Sequence, residues 1–133
     1  MSNTTRYLPF LGRLLIGGIF ALSGYAKLVA YGPTTAEIAS VHLPFPPLAF
    51  AVAVIVELGF GLLLVIGFQA RLVALVLAFW CVVTAVCFHT HFADQMQMIN
   101  FLKNLMIAGG LLQIVHFGAG ALSVDARRAP ALS

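Results

Sequence analysis

Charge is what this sequence most lacks. Only 8% of its 133 residues are Asp, Glu, Lys or Arg, whereas 62% are hydrophobic. Soluble domains carry about 25% charged and roughly 45–50% apolar residues, so this composition excludes an ordinary soluble domain. The seven basic residues are scattered and lie mostly at the ends of apolar segments, which argues against a nucleic-acid partner. The composition predicts an integral membrane protein whose main partner is the lipid bilayer.

Cysteine is scarce as well, since Cys81 and Cys87 are the only two. Six residues apart in one apolar run, they point about 120° away from each other on a helix. They form no C-x-x-C pair, so we expect buried free thiols rather than a thiol–disulfide active site. The sequence also has no opposed histidines for haem, no cysteine cluster and no dinucleotide-binding loop. It therefore indicates no electron carrier of its own.

Apolar segments long enough to cross a bilayer, about 20 residues each, fill nearly all of the chain. Four fit, at about residues 8–29, 48–66, 71–89 and 98–117. We expect an all-α, antiparallel bundle of four transmembrane helices that forms one domain over residues 1–121. No convincing signal-peptide cleavage site follows the first segment, so it should remain as a helix. Residues 34–41 predict a short interfacial helix, and residues 122–133 a short polar tail with nothing to fold around.

Basic residues set the expected orientation. Four spans put both termini and the turn at residue 71 on one side, which holds Arg6, Arg13, Arg71, Arg127 and Arg128. Lys27 and Lys103 fall on the other side. Because cytoplasmic segments are enriched in Lys and Arg, we expect cytoplasmic termini and a multi-pass protein of the bacterial inner membrane. Lys27, Lys103 and residues 89–97 would then lie at the outer level.

Glu57 is the only charged residue of the second span and lies near its middle. A carboxylate there costs on the order of 2.5–3.5 kcal/mol, so such residues usually face the bundle interior and have a function. We predict that Glu57 lies inside the bundle near another polar side chain, as a catalytic proton-transfer group or a partner for a bound head group. The alternative is a structural ion pair with Lys27 or Lys103 and no ligand.

The fourth span begins with polar side chains on one arc of about 120°: Gln97, Asn100, Lys103 and Asn104. Amides and an ammonium on one face suit the carbonyls of a quinone, a sugar or an anionic head group. They also suit ordinary interhelical hydrogen bonds, worth about 0.6 kcal/mol each. Because four such groups exceed what helix packing needs, we predict a ligand-binding surface here, which Lys27 would join.

Histidines and aromatic residues precede that surface. One H-x-H pair, His89 and His91, is weak evidence for a metal even with Asp94 nearby, so none is expected. His89 is instead predicted to transfer protons, although a continuous third helix would turn it away from the face that carries Trp80. Five aromatic residues could line an isoprenoid groove, or form an interfacial belt or core, which is more usual: Phe79, Trp80, Phe88, Phe92 and Phe101.

Over nearly its whole length, the sequence resembles the DoxX family of small four-helix bacterial membrane proteins. The matching residues are Gly12-Arg13, Ser23-Gly24, Lys27-Leu28, Glu57-x-Gly59-x-Gly61, Gly67, Arg71, His89, Asp94, Gln97, Asn100-Phe101, Lys103-Asn104 and Gly109-Gly110. Phe60 departs from the pattern, because the family often has a further glycine there. The family takes its name from subunits of terminal oxidase and thiosulfate:quinone oxidoreductase, so the resemblance implies a four-helix bundle and quinone-linked redox chemistry.

Two functions of different classes follow. The first is a quinone-binding subunit of a membrane oxidoreductase, in which Glu57 or His89 moves protons and a redox partner protein or the quinone itself carries the electrons. Its head-group ligands would be Lys27, Gln97, Asn100, Lys103 and Asn104. The second is a non-enzymatic chaperone, assembly factor or carrier that binds a small polar ligand or a client helix. A transporter is a third alternative, and its small size would require a homo-oligomer.

Overall fold

The structure, a computed structural model, describes residues 3–128, and every regular element in that range is a helix. Four of these helices are long and apolar enough to cross a membrane: α1 (Asn3–Val29), α3 (Pro46–Ile66), α4 (Ala70–Phe88) and α5 (Gln95–Phe117). Two shorter helices are α2 (Tyr31–Ser40), which follows α1, and α6 (Val124–Arg128), which follows α5. The expected all-α fold with four membrane-spanning helices is confirmed.

The long helices begin earlier than the apolar periodicity suggests. α5 starts at Gln95 rather than at residue 98 because Asp94 caps it. The Asp94 carboxylate accepts a hydrogen bond from the backbone N–H of Met96 at 3.0 Å, which satisfies one of the free amides of the first turn. The short helix expected at residues 34–41 is present as α2.

Close packing of α1 against α3 depends on glycine. A Cβ atom added to Gly17 would lie 2.6 Å from the carbonyl oxygen of Gly61, and one added to Gly61 would lie 2.7 Å from that of Gly17. A Cβ atom on Gly24 would overlap the backbone of Leu58. Small residues let membrane helices approach closely enough for backbone-to-backbone contact. These contacts bring the residues between Gly17 and Gly24 on α1 directly against the middle of α3.

The bundle core is small and its outside is apolar. Leu64, Leu77 and Leu111, from α3, α4 and α5, are fully buried at its centre. Large hydrophobic side chains such as Phe79 cover the exposed faces. In water such a surface would be an aggregation or interaction site, whereas a bilayer solvates it. Both the core and the outer surface of the bundle are therefore apolar, as expected of a membrane protein.

The end of the bundle opposite Lys27 is held by Arg13, a fully buried residue of α1. Its guanidinium donates hydrogen bonds to three carbonyls, those of Leu64 (3.2 Å), Val65 (2.8 Å) and Leu122. The first two belong to the last turn of α3, where carbonyls have few intrahelical donors and the negative end of the helix dipole lies. Arg13 thus ties α1 both to α3 and to the segment after α5.

That segment folds back onto the bundle. Asp125 accepts hydrogen bonds from the backbone N–H groups of Gln69 (2.7 Å) and Ala70 (2.8 Å), at the start of α4. The expectation that the tail has nothing to fold around is therefore wrong for residues 122–128, because a carboxylate there satisfies first-turn amides and faces the positive end of a helix dipole. The rest of the predicted tail, residues 129–133, lies outside the described residues.

Candidate functional site

Glu57 lies where α3 changes its helical geometry. Ile55–Phe60 form a π-helical segment within α3, and Glu57 is inside it. Only 5% of Glu57 is exposed, so the predicted interior position is confirmed. π-Helical turns insert an extra residue into the helix and are frequent at functional sites. This local distortion is not visible in the apolar periodicity of the sequence.

Three side chains hydrogen-bond to the Glu57 carboxylate. The Lys27 ammonium lies 2.7 Å from Oε1, and the Ser23 hydroxyl donates to the same oxygen at 2.6 Å. Trp80 Nε1 donates to Oε2 at 3.0 Å. A buried carboxylate is tolerated when it is both ion-paired and hydrogen-bonded. These contacts satisfy Glu57 with side chains from α1 and α4.

Lys27 is the more accessible half of the ion pair. Its side chain is 32% exposed, against 7% for Glu57. The ammonium donates to Ser23 Oγ at 3.0 Å and to Glu57. Because an ammonium carries three N–H donors, one has no acceptor among the described residues. Lys27 can therefore donate a further hydrogen bond without breaking the network.

A cavity of about 430 Å³ lies beside the network, between α2, α3 and α4 at the end of α1. Its wall is mostly apolar and includes Ile38, Leu48, Val52, Trp80, Val83 and Phe88. The polar side chains on the wall are Lys27, Thr34, Glu37, Thr84 and His89. Pockets of about 300–1,000 Å³ with apolar walls and a few polar groups are typical of small-molecule sites. Lys27 and Trp80 connect this cavity to Glu57.

His89 also lines the cavity, together with Trp80 and Cys87. The expectation that it points away from the Trp80 face is wrong, because α4 ends at Phe88 and the backbone of His89 is no longer helical. His89 Nδ1 lies 3.0 Å from Gln97 Oε1. An amide oxygen only accepts, so this contact favours the tautomer in which Nδ1 is the donor and Nε2 is left as an acceptor.

The structure divides the predicted ligand-binding residues into two groups. Lys27 lines the cavity, and Gln97 reaches it through His89. Asn100, Lys103 and Asn104 do not line the cavity, and Lys103 is exposed on the surface of α5. The expected meeting of Lys27, Glu57 and Lys103 in one hollow therefore does not occur, because α5 presents Lys103 away from α1 and α3.

The remaining predicted candidates have local contacts. Asp94 caps α5, and His91 is exposed. Within residues 3–128 no group of three or more His, Cys, Asp or Glu side chains has metal-binding geometry. Of the five aromatic residues, Trp80 and Phe88 line the cavity, whereas Phe92 and Phe101 stack edge-to-face on each other at 5.2 Å. The aromatic wall is therefore smaller than the predicted groove.

Two members of the Glu57 network were not predicted. Trp80 appeared only as one of the aromatic residues, although its indole N–H is a donor that a buried Trp needs to satisfy. Ser23 stands four residues before Lys27 on α1, a spacing that puts both side chains on one helix face. That spacing, together with the place of Ser23 among the residues that carry the family resemblance, was the signal in the sequence, and it required a partner on α3 to become informative.

The fold and the site together define a small polytopic membrane protein in which the hydrogen-bond network of Glu57 lies beside a mostly apolar cavity. The sequence model of the DoxX family matches residues 8–90, and this chain belongs to the DoxX family. The matched stretch contains Ser23, Lys27, Glu57, Trp80 and His89, which are the residues at or beside the cavity.

Two curated relatives cover most of the chain. It is 35% identical to the inner membrane protein YphA of Escherichia coli K12, over 94% of this chain and 99% of the relative. It is 33% identical to the inner membrane protein YqjF of the same organism, over 85% of each chain. No solved structure matches. The expectation of a multi-pass inner membrane protein is confirmed.

Proposed function

We propose that this protein binds the head group of a quinone in the cavity next to Lys27 and acts as a subunit of a membrane oxidoreductase. The observation that supports it is the mostly apolar cavity of about 430 Å³ whose wall carries the unsatisfied N–H of Lys27. A quinone is an apolar ring and chain with two carbonyl acceptors. The Lys27 ammonium would donate to one carbonyl while the wall from α3 and α4 holds the ring.

The charges around the cavity favour a neutral ligand. Lys27 and Glu57 cancel each other as an ion pair. Glu37 then adds a negative charge to the wall, without an ion-pair partner among the described residues. A carboxylate ligand such as a fatty acid would be repelled by this charge. A quinone, which is uncharged, would not.

His89 and Glu57 are the proposed proton-transfer groups. Nε2 of His89 would accept a proton from a quinol hydroxyl and return it to the quinone oxygen in the reverse direction. The second proton of the quinol would leave the other oxygen through the Lys27 ammonium, which would pass one of its own protons to the Glu57 carboxylate 2.7 Å away, and it would return by the same route in the reverse direction. Since the sequence indicates no electron carrier, the electrons would pass between the quinone and a redox centre of a partner protein.

A non-enzymatic carrier or chaperone is the second candidate. It is favoured by the same mostly apolar wall, which suits an alkyl chain or an apolar helix as well as a quinone ring. The two candidates differ in whether the bound molecule undergoes a redox reaction: the oxidoreductase subunit would change its redox state, and the carrier would not. Binding of a quinone with no change of its redox state in native membranes would support the carrier.

Fluorescence of Trp80, the sole tryptophan, tests the proposal. The purified protein is titrated with a short-chain ubiquinone analogue, and saturable quenching is expected because Trp80 lines the cavity. Lys27→Met should weaken binding at least tenfold, while Lys103→Met, which removes a lysine outside the cavity, should not. The double variant Lys27→Met/Glu57→Gln removes the pair without leaving a buried charge, and it should also bind weakly. Equal binding by all of these variants would overturn the proposed site.

A further inference from the structure

Positive charge is concentrated at the end of the bundle opposite the cavity. All five arginines lie at that end, on α1, at the start of α4 and on α6: Arg6, Arg13, Arg71, Arg127 and Arg128. Asp125 is the one acidic side chain among the described residues there, so five positive charges and one negative charge give this end +4. The two lysines and three acids of the rest of the chain give −1. Such an asymmetry attracts anions to the arginine-rich end.

Three of these arginines lie at one corner of that end. Asp125 binds the backbone amide of Ala70 at 2.8 Å, so α6 lies against the start of α4. Arg71 follows Ala70 directly, and Arg127 and Arg128 follow Asp125 by two and three residues. All three arginine side chains are exposed, and none has an ion pair with the described residues. We call Arg71, Arg127 and Arg128 the basic corner.

Arg71 presents an unused hydrogen-bonding edge. Its Nη1 donates to the carbonyl of His116 at 2.9 Å, which fixes the guanidinium against the end of α5. The other edge, formed by Nε and Nη2, has no acceptor among the described residues. A Cβ atom on Gly118 would lie 3.2 Å from both of these nitrogens, so a side chain there would crowd the edge that glycine leaves open. Two parallel N–H groups on one guanidinium edge match two oxygens of a phosphate.

Apolar side chains border the basic corner. Leu72, next to Arg71, is 60% exposed, and Phe117, the last residue of α5, is 71% exposed. Both belong to helices that are long and apolar enough to cross a membrane. A ligand at the corner would therefore contact guanidinium groups and, beside them, an apolar surface. That combination fits an amphiphile with an anionic head group better than an acidic protein segment, which needs no apolar surface next to its charges.

We propose that the basic corner binds the phosphate of an anionic phospholipid. The Nε and Nη2 edge of Arg71 contacts two phosphate oxygens, Arg127 and Arg128 add charge, and the acyl chains lie along Leu72 and Phe117. Basic residues next to spanning helices attract anionic lipids in this way. A zwitterionic lipid offers the same phosphate but adds an ammonium that the arginines repel. The site lies at the opposite end of the bundle from the cavity, so it does not depend on quinone binding.

Native mass spectrometry of the detergent-purified protein tests the proposal, with phosphatidylglycerol and phosphatidylcholine of the same acyl chains as probes. The parent should bind phosphatidylglycerol at least tenfold more tightly. Arg127→Gln/Arg128→Gln removes two charges without removing a hydrogen bond between described residues, and it should reduce this preference several-fold. Arg71→Lys keeps the charge but loses the two-donor edge, so it should also weaken binding. Lys103→Gln, which removes a positive charge outside the corner, should bind as the parent does.

Competition identifies the kind of ligand. Inorganic phosphate, which has no acyl chains, and polyglutamate, which is an acidic peptide, should both fail to displace phosphatidylglycerol when added in excess. Displacement by phosphate would show a site for a free anion, and displacement by polyglutamate would assign the corner to an acidic protein, so either result would overturn the lipid as the occupant. Equal binding of the two lipids by the parent, or an unchanged preference in both arginine variants, would overturn the site itself.

Discussion

Glu57 Oε1 and Lys27 Nζ lie 2.7 Å apart across the contact between α3 and α1. At the other end of the same contact, Arg13 donates to the carbonyls of the last turn of α3. Between these two cations the helices touch at Gly17 and Gly61. The α1–α3 pair is thus held at both ends by charge and in the middle by close backbone approach, which positions the Lys27 ammonium at the cavity.

The Lys27–Glu57 pair should respond unequally to its two single substitutions. Lys27→Met leaves an unpaired carboxylate in the interior, whereas Glu57→Gln leaves an ammonium that is partly exposed. Breaking a fully buried pair costs about 3–5 kcal/mol, and the exposure of Lys27 should reduce this to about 1–3 kcal/mol for Glu57→Gln. In thermal unfolding in detergent, Lys27→Met should have the lowest unfolding midpoint. The double variant Lys27→Met/Glu57→Gln should regain part of the stability that Lys27→Met loses. A double variant less stable than either single one would contradict the pairing.

Gly24 should tolerate no side chain. Gly24→Val would drive its Cβ atom into the backbone of Leu58 on α3, and a backbone atom cannot move aside as a side-chain tip can. We expect loss of the folded protein, measured as monodisperse yield after purification. Gly18→Val introduces the same side chain into open space on α1 and should purify normally. Equal yields of the two variants would show that α1 and α3 are farther apart than described.

Asp125 should stabilise the start of α4. Asp125→Ala removes the acceptor for the amides of Gln69 and Ala70, and loss of a helix cap costs about 0.5–2 kcal/mol. The unfolding midpoint should fall accordingly. Asp125→Asn keeps one acceptor oxygen and should recover part of the loss. An unchanged midpoint for Asp125→Ala would mean that the segment after α5 does not hold the bundle.

The number and type of the helices followed from the sequence, because hydropathy and length alone determine what can span a bilayer. The interior position of Glu57 followed for the same reason, since an isolated carboxylate has no stable place among lipid chains. The sequence did not show whether Lys27 or Lys103 is the ion-pair partner of Glu57. That choice depends on which helices pack together, and the close contact at Gly24 brings α1 to Glu57, whereas α5 packs mainly on α4.

The position of His89 shows a second limit. Helical periodicity extended past Phe88 turned it away from Trp80, but α4 ends there and the non-helical backbone brings His89 to the cavity wall. Successive side chains of an α-helix differ in direction by about 100°, so periodicity cannot place a side chain once the helix has ended or has gained a residue. The π-helical turn at Glu57 has the same effect within α3. Sites formed at helix ends and distortions are therefore the part of this protein that periodicity predicts least well.

The two cysteines offer a direct probe of the cavity. Cys87 lines its wall, whereas Cys81 is buried in the core of the bundle. A small membrane-permeable maleimide should therefore modify Cys87 faster than Cys81, since access limits thiol reactions. Intact-protein mass spectrometry should find one label on the parent and on Cys81→Ser, and almost none on Cys87→Ser.

Ligand protection then connects this accessibility to the proposed function. A ubiquinone analogue with a fully substituted ring, which leaves no ring carbon open to a thiol, should slow the labelling of Cys87 several-fold by occupying the same space. The protection should be lost in Lys27→Met and kept in Lys103→Met, because only Lys27 lies on the cavity wall. A fatty acid should protect poorly, since Glu37 on that wall repels a carboxylate. If the fatty acid protected as well as the quinone, the ligand would be recognised by its chain alone, and the carrier function would replace the quinone-linked one.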